Sequence, residues 1–440
     1  MKQNSADANI LNRLPENRRS LLRQLGLLAD SQGVPIYLVG GVVRDLFLKR
    51  KNSDLDVTVE GDGIAFARAV ADRYRAGLAL FERFRTARLL LPSGPKLDIA
   101  STRRESYAEP AQLPDVDQAS LSEDLYRRDF TINAMAIQLN AGSWGLLRDP
   151  YGGQRDLKAK RIRILHEGSF IDDPTRMFRA VRFAQRFGFS WERKTKQLLE
   201  KTAATDLIHR LSGPRLCNEI LMLCREPLPD RSFEQLDKLK LLRFLHPRLT
   251  YSRVARGTVR ALPRACEWWK RHCDRESIDH ALATFIALLG DVESSAVQAV
   301  TDRLMMSKEQ MRIVGHAGKP LLLIASQLSV PARMRPSAVF TLLRRLSDEA
   351  LLACLAMQRG RPSRLRLVRA RIRDFVQVHR KVAIALRGDD LLRLGLKPGP
   401  QVGAMLGGLL AAKLDGVVKN KAGERAFVMA RLAGSVNSAE

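Results

Sequence analysis

The sequence predicts an α+β chain, a mixed α/β head followed by a long all-α remainder. Three observations lead there. Between Ile36 and Thr58 the pattern runs strand, glycine pair, helix, strand; further strand-like runs and a helix continue to about residue 100; beyond about residue 226 only helical periodicity remains, in Leu-, Ala- and Arg-rich segments punctuated by Pro and Gly. At 440 residues the chain exceeds one ordinary core and suggests two to four domains.

Taken in order, a polar lead-in gives way to an amphipathic helix, Arg18 to Ala29, ending near Gly33. Ile36 to Val39 is an apolar, β-favouring run, Gly40-Gly41 a tight turn, and Val42 opens a helix; Asp54-Leu55-Asp56-Val57-Thr58 reads as a second strand. A helix is expected from Gly63 to Tyr74, then strands from Leu78 to Leu91 and from Lys96 to Ala100, separated by the turn Pro92-Ser93-Gly94-Pro95. Ser101 to Ser122 is rich in turn formers and short of apolar residues, which suggests a mobile loop. Glu123 to Ile137 reads as a helix. Another begins at Asp173-Pro174, with Asp173 suited to the N-cap and Pro174 to the first helical position.

The chemistry concentrates in the head. Alternate strand residues share a face, so Asp54 and Asp56 place two carboxylates side by side while Leu55 and Val57 face a core. Such a pair repels unless cations lie between, and hard oxygen ligands suit Mg²⁺. Gly40 and Gly41 let backbone N–H groups approach a triphosphate, and Arg44, three residues on, is near enough to reach the same anion. Taken alone, Asp-x-Asp is a common accident and Gly-Gly merely a turn; both within 23 residues make a site the better reading. Asp98 is a third acid on a strand, either a third carboxylate of the site or an edge residue. Arg127, Arg128 and Asp129, with Asn133 one turn beyond, suit a triphosphate or ribose clamp; a solvated helix face with local ion pairs is the plain alternative.

A second group lies on the helix after Asp173. Arg176, Arg179 and Arg182 are three apart and fan across one side. Cytosine and adenine both present an amino donor beside a ring-nitrogen acceptor, whereas uracil and guanine present a carbonyl beside an N–H. An Asp173 acceptor with an Arg176 donor therefore matches C and A and leaves U and G with unpaired groups. The plain alternative for Asp173 is a helix cap.

Composition bounds the rest. Lysine and arginine number 74 against 47 acids, a net charge of +27 with a pI near 10.5, which calls for a polyanionic partner, RNA before an anionic membrane. No apolar run approaches bilayer length and the first twenty residues lack a signal-peptide core, so a cytoplasmic protein is expected. Cys217/Cys224 and Cys266/Cys273 are each seven apart, the spacing of buried thiols on one helix face rather than of zinc ligands. Trp268 and Trp269 face different ways on a helix, so at least one belongs to a core. The arginine-rich run 359–380 suits an RNA phosphate backbone as a stripe.

The segments GGVVRD, DLDVT, RRESY, RRDFTINAMA and DPYGG, in this order and spacing, resemble the class II tRNA nucleotidyltransferase (CCA-adding enzyme) and bacterial poly(A) polymerase family, a branch of the polymerase-β-type nucleotidyltransferases; the resemblance covers about Ile36 to Glu219. It implies a catalytic head (1–160), a base-templating helical neck (161–225), a helical body (226–340) and a basic helical tail (341–440) that binds RNA, of which Arg387 to Gly416 resembles the segment gripping tRNA. It implies template-independent addition of C and/or A from CTP and ATP to tRNA 3′ ends, with two Mg²⁺ ions on Asp54 and Asp56. Gly40, Gly41, Arg44 and Arg128 would hold phosphates or ribose, Asp129 and Asn133 would belong to the nucleotide site, and Asp173 and Arg176 would read the base with Arg179 and Arg182 nearby. The family's Glu-Asp-x-x-Arg template here begins with Asp172, and Arg215 with Glu219 looks like the neck motif that supports the templating helix. Full CCA, CC-only, A-only and poly(A) addition share these motifs. A nucleotidyltransferase acting on a small molecule or protein, and a non-catalytic RNA-binding protein, are the readings from other classes.

Overall fold

The computed structural model describes residues 10–52, 54–92, 96–273, 278–358 and 362–436. The turn expected at 92–95 lies mostly outside the described residues, as do Arg359 and Arg361. The chain divides into two compact units, Met1–Glu219 with Lys238–Leu241, and Ile220–Asp237 with Leu242–Glu440.

In the first unit a helix, α1 (Glu16–Ser31), leads into the central strand β1 (Ile36–Val39), all four residues of which are buried. The chain continues through α2 (Gly41–Phe47), β2 (Leu55–Val59), α3 (Gly63–Tyr74), β3 (Gly77–Phe81), β4 (Thr86–Leu90) and β5 (Lys96–Ser101). Two short strands, β6 (Arg103–Ser106) and β7 (Asp115–Gln118), precede α4 (Leu121–Tyr126), and β8 (Ala136–Gln138) and β9 (Leu147–Arg148) complete the strands of the main sheet. Its order is β3-β4-β5-β2-β1-β8-β9; β2 and β5 are parallel and every other pair is antiparallel. Leu55, Val57, Leu97 and Ile99 alternate inward, and Phe66, Ala67 and Val70 of α3 are buried with them. Gly63 permits the close approach: a Cβ there would lie 2.5 Å from the backbone nitrogen of Ser101.

Three sequence expectations change. The strand expected from Leu78 to Leu91 is the hairpin β3–β4, reversed by a single 3₁₀ turn, Glu82–Phe84, and by Arg85 at φ 50°. Alternating hydrophobicity persists through such a reversal, and the turn carries no glycine or proline to mark it. Ser101 to Ser122 is a two-stranded antiparallel ribbon, β6–β7, for much of its length. The helix expected from Glu123 to Ile137 stops at Tyr126. Ser120 and Glu123 form a capping box that starts it, and the chain then passes through a 3₁₀ turn at Thr131–Asn133 into β8, which pairs with β1. Ladder bonds to a buried interior strand outweigh the intrinsic helix preference of Ala-Met-Ala-Ile.

Short helices α5 (Gly153–Lys158) and α6 (Ser169–Asp172) lead to α7 (Thr175–Phe187), α8 (Arg193–Ala203) and α9 (Gly213–Cys224). The side chain of Asp173 accepts the backbone N–H of Thr175 (3.0 Å) and its hydroxyl (2.6 Å), so Asp173 caps α7 as expected.

The described part of the second unit is helical. Helix Arg253–His272 runs through Pro263, which the sequence suggested as a break: burial of Ala255, Val259, Leu262, Ala265 and Trp269 along one face offsets the roughly 3 kcal/mol that an internal proline costs. Trp269 is core; Trp268 is partly exposed, stacked on His272 with ring centroids 5.0 Å apart. All five cysteines are free, and four of them are buried. The arginine run is not one open stripe. On helix Pro362–Gln377, Arg364, Arg366 and Arg373 are exposed, but buried Arg371 donates to the carbonyls of Leu328, Val330 and Ala332 at the end of helix Lys319–Leu328.

Towards the end, helices Gly388–Arg393, Pro400–Leu414 and Lys421–Val436 enclose a small core of Leu391, Leu409 and Val428. Asp390 caps the first by accepting the N–H of Arg387. Fully buried Glu424 accepts the N–H groups of Ala385 and Leu386 and an ammonium N–H of Lys413 (2.7 Å). Glu424→Ala strands two main-chain donors and a charge, so it lowers the stability of this segment by about 3 kcal/mol, read as earlier protease cleavage and a lower denaturant midpoint. Among the described residues no helix is long and apolar enough to cross a membrane.

Candidate active site

The site begins with strand register. The parallel pairing of β2 and β5 sets Asp56 beside Asp98, and the β4–β5 ladder sets Arg88 beside Asp98, giving one row of charged side chains across three strands. Arg88 holds Asp98 with two bonds of 2.7 and 3.0 Å. Asp54 lies just ahead of β2 rather than within it, exposed, its N–H bonded to Asn52 Oδ1 (2.9 Å). Burial, then the charge of Asp98, push the Asp56 carboxyl up to about 6 from its usual 3.8; Arg128 draws it down and Asp54 adds to the rise.

The glycine turn faces this row. Gly40 sits at φ 76°, ψ −140°, a conformation closed to residues with a Cβ, and a Cβ there would lie 3.1 Å from Nη1 of Arg128 and 3.7 Å from Oδ2 of Asp56. Turn, arginine and carboxylate therefore meet at one point. Gly40→Ala strains the turn and crowds Arg128, and the expected result is an approximately 10²-fold fall in kcat/KM with an unchanged circular dichroism spectrum.

Arg128 is set by Asp124, which sequence reading missed. This carboxylate is 1% exposed and accepts Arg127 Nη2 (2.7 Å) and Arg128 Nη2 (2.9 Å). Burial opposes its ionisation, but Arg128 and Arg127 outweigh that and hold it below the usual carboxylate range. Arg127 also donates to Glu105 on β6 (2.7 Å), which ties the ribbon to the site. The i, i+3 and i, i+4 spacings in Glu123-Asp124-Leu125-Tyr126-Arg127-Arg128 were the available signal.

Arg44, expected to reach the same anion as the glycine turn, lies against that turn with its guanidinium already partnered. It is 5% exposed, paired twice with Asp45, bonded to Asn133 Oδ1 (2.6 Å) and packed over the rings of Phe183 and Phe187. Burial among these partners gives it the task of bracing the turn. Asn133 passes the contact on to Asp129 (2.8 Å), although no helix joins them, and Asp129 accepts Arg179 through Nε and Nη2 (2.9 and 2.6 Å). Burial raises and Arg179 lowers the Asp129 carboxyl, and the net shift is downward; Arg179, for its part, is held protonated by Asp129 and Glu219 against burial.

Along α7 the three arginines do not form an open fan. Arg176 is buried and donates to Ser169 Oγ (2.7 Å) and to the carbonyl of Arg127 (2.6 Å); two of its five N–H groups are so used, which fixes its plane. Arg179 and Arg182 both approach Glu219, at 3.5 and 3.7 Å. Arg215 and Glu219 do not pair with each other. Arg215 instead bonds Asp173 Oδ1 (2.8 Å) and the carbonyl of Ala111, so α9 braces the start of α7 through Asp173 and holds the connection between β6 and β7 through Ala111. All hydrogen bonds to Asp173 fall on Oδ1, and Oδ2 takes none among the described residues.

The site thus presents aspartates on adjacent strands, an arginine with its own counter-ion, a glycine turn, and a capped helix offering a carboxylate oxygen beside a fixed guanidinium. Among the described residues no three acids, histidines or cysteines are grouped so as to hold a metal ion, so a cation here would rest on a carboxylate or two of this row and complete its shell with water and substrate phosphates. Fold and site together define a head of the polymerase-β type.

Residues 36–163 match the family described as poly A polymerase head domain, and residues 188–252 the one described as probable RNA and SrmB-binding site of polymerase A. An A-adding tRNA nucleotidyltransferase of Geobacter sulfurreducens is 37% identical over 434 residues, 97% of this chain and 48% of that protein. One of Halalkalibacterium halodurans is 33% identical, covering 93% of this chain and 91% of that protein. The solved structure of a Thermotoga maritima CCA-adding enzyme complexed with tRNA is 31% identical with a TM-score of 0.70, covering 97% of this chain and 98% of the other. The chain spans about half the length of the Geobacter relative and nine-tenths of the Halalkalibacterium one. It belongs to the tRNA nucleotidyltransferase and poly(A) polymerase family.

Proposed function

We propose that the protein transfers AMP from ATP to the 3′-hydroxyl of tRNA, releasing pyrophosphate, with Mg²⁺ held at Asp54 and Asp56. The observation that carries the reaction type is the Asp56–Asp98 row facing Gly40 and Arg128. Adenylate is favoured over cytidylate because the Geobacter and Halalkalibacterium relatives, 37% and 33% identical over 97% and 93% of this chain, are A-adding enzymes. When bound, Mg²⁺ supplies positive charge to the attacking hydroxyl and to the triphosphate.

The protein's own groups do the rest. Gly40 and Gly41 admit the phosphates to the backbone, and Arg128, fixed by Asp124, carries a charge towards them. Asp173 Oδ2 accepts the amino group of the incoming base while an unused N–H of Arg176 donates to its ring nitrogen; Arg179, Arg182, Asp129 and Asn133 hold that geometry rather than touching the base. The basic surface, including Arg364, Arg366 and Arg373, holds the tRNA backbone.

The test is incubation with Mg²⁺ and one labelled nucleotide at a time on tRNA lacking CCA, tRNA ending in CC, and an unrelated oligonucleotide. One A added to the CC-ending tRNA, with no C added to either tRNA, is the expected result. Added C makes the product CC or CCA, long A tails on any RNA make the protein a poly(A) polymerase, and no incorporation at all overturns the catalytic reading.

A further inference from the structure

A cavity of about 670 Å³ opens between the segment Arg13–Pro15, the start of α1, and α2 with the connection that leads from it to β2. Its volume is that of a small-molecule site, and it shares no lining residue with the groove that holds Asp56 and Asp98. Five cations line it, Arg13, Arg18, Lys49, Arg50 and Lys51, and no acid does. Its floor is apolar, formed by buried Leu14, Val42 and Leu46.

Three of the cations are held in place. Arg13 donates to the carbonyl of Leu46 (2.8 Å), Arg18 to that of Asn52, and Arg50 lies over the Phe187 ring, 5.0 Å from its centroid. Lys49 and Lys51 are exposed and, among the described residues, have no ion-pair partner. Like charges gathered around one cavity repel unless an anion sits among them, and three anchored guanidiniums are preorganised donors for phosphate oxygens. The apolar floor gives a flat, weakly polar body a place out of water. Phosphates and a planar base together satisfy both halves.

We infer that this cavity binds a nucleoside polyphosphate, without a metal ion and apart from the Asp56 groove. Asn52 closes its wall next to the catalytic strand: its Oδ1 accepts the N–H of Asp54 and its amide donates to Asp45 (2.8 Å), the partner of Arg44.

The probe is ADP, titrated calorimetrically into the full chain in EDTA. Lys49→Gly with Lys51→Ala removes two exposed cations, and glycine suits Lys49 at φ 53°. The double variant binds ADP about tenfold more weakly than wild type, whereas the charge-matched control Lys196→Ala with Lys201→Ala stays within about twofold. Pyrophosphate binds wild type at least about fivefold more weakly than ADP, because it leaves the apolar floor uncovered. ADP binding that survives the double variant overturns the inference, as does pyrophosphate binding as tightly as ADP. A double variant that loses tRNA affinity while keeping ADP affinity overturns it too, by making the cluster an RNA backbone contact. None of these readings requires turnover, so they stand or fall separately from adenylate transfer.

Discussion

Asp56→Asn abolishes nucleotidyl transfer and at the same time stabilises the metal-free protein at neutral pH. The loss follows from removing the charge that faces Gly40 and Arg128, and a fall in kcat of about 10³-fold or more corresponds to at least about 4 kcal/mol of transition-state stabilisation. The gain follows from linkage. With its carboxyl at about 6 when folded and 3.8 when free, Asp56 binds its proton more tightly in the folded state. Its effect on stability is nil below about pH 4, grows unfavourable as pH rises between the two values, and levels off above about 6 at roughly 3 kcal/mol. Asparagine has no charge to bury. In EDTA at pH 7.5 the variant therefore melts several degrees above wild type, at pH 4 the two coincide, and added Mg²⁺ raises wild type alone. A variant that melts at or below wild type in EDTA at pH 7.5 would show that the carboxylate row is not under electrostatic strain.

Asp173→Ala abolishes base selection. Its Oδ1 holds Arg215 and the first turn of α7, so part of the effect is a lost cap, about 1 kcal/mol. The larger part falls on the incoming nucleotide: without an acceptor for the amino group of adenine, the preference for ATP over GTP falls by about 10²- to 10³-fold in kcat/KM. Asp173→Asn separates the two. It keeps size and packing while replacing one acceptor by a donor, so it moves preference towards GTP and UTP with a smaller loss of stability. Single-nucleotide incorporation with all four triphosphates, beside a thermal melt, reads both; unchanged selectivity in a folded Asp173→Asn protein would remove Asp173 from the base site.

Much of the site was legible because it is local. The alternation through Leu55, Asp56 and Val57, the positive-φ glycine at Gly40, and the cap at Asp173 are each decided by a few adjacent residues. The side-chain partners were less so. Arg44 reads as an arginine near a phosphate turn, yet Asp45 and Asn133 enclose it; Arg215 and Glu219 have the spacing of a helical pair, yet each turns to a different residue of the α7 region. Arginine 371 counts towards a basic stripe in sequence and caps a helix end in space. Spacing along one helix says which side chains can meet, and long-range packing then decides between partners that local rules rank equally.

Residues close in the chain were enough to set the head-then-helices order, the two aspartates, the glycine turn and the cap at Asp173, since strand period, backbone permissiveness and capping act over a few residues. Long-range packing was needed to set Asp98 beside Asp56, to make Ala136 to Gln138 a strand and to let α9 steady α7, because each depends on residues tens of positions apart being brought together. Pairing of that kind is a property of the whole sheet and its packing, and no local pattern carries it.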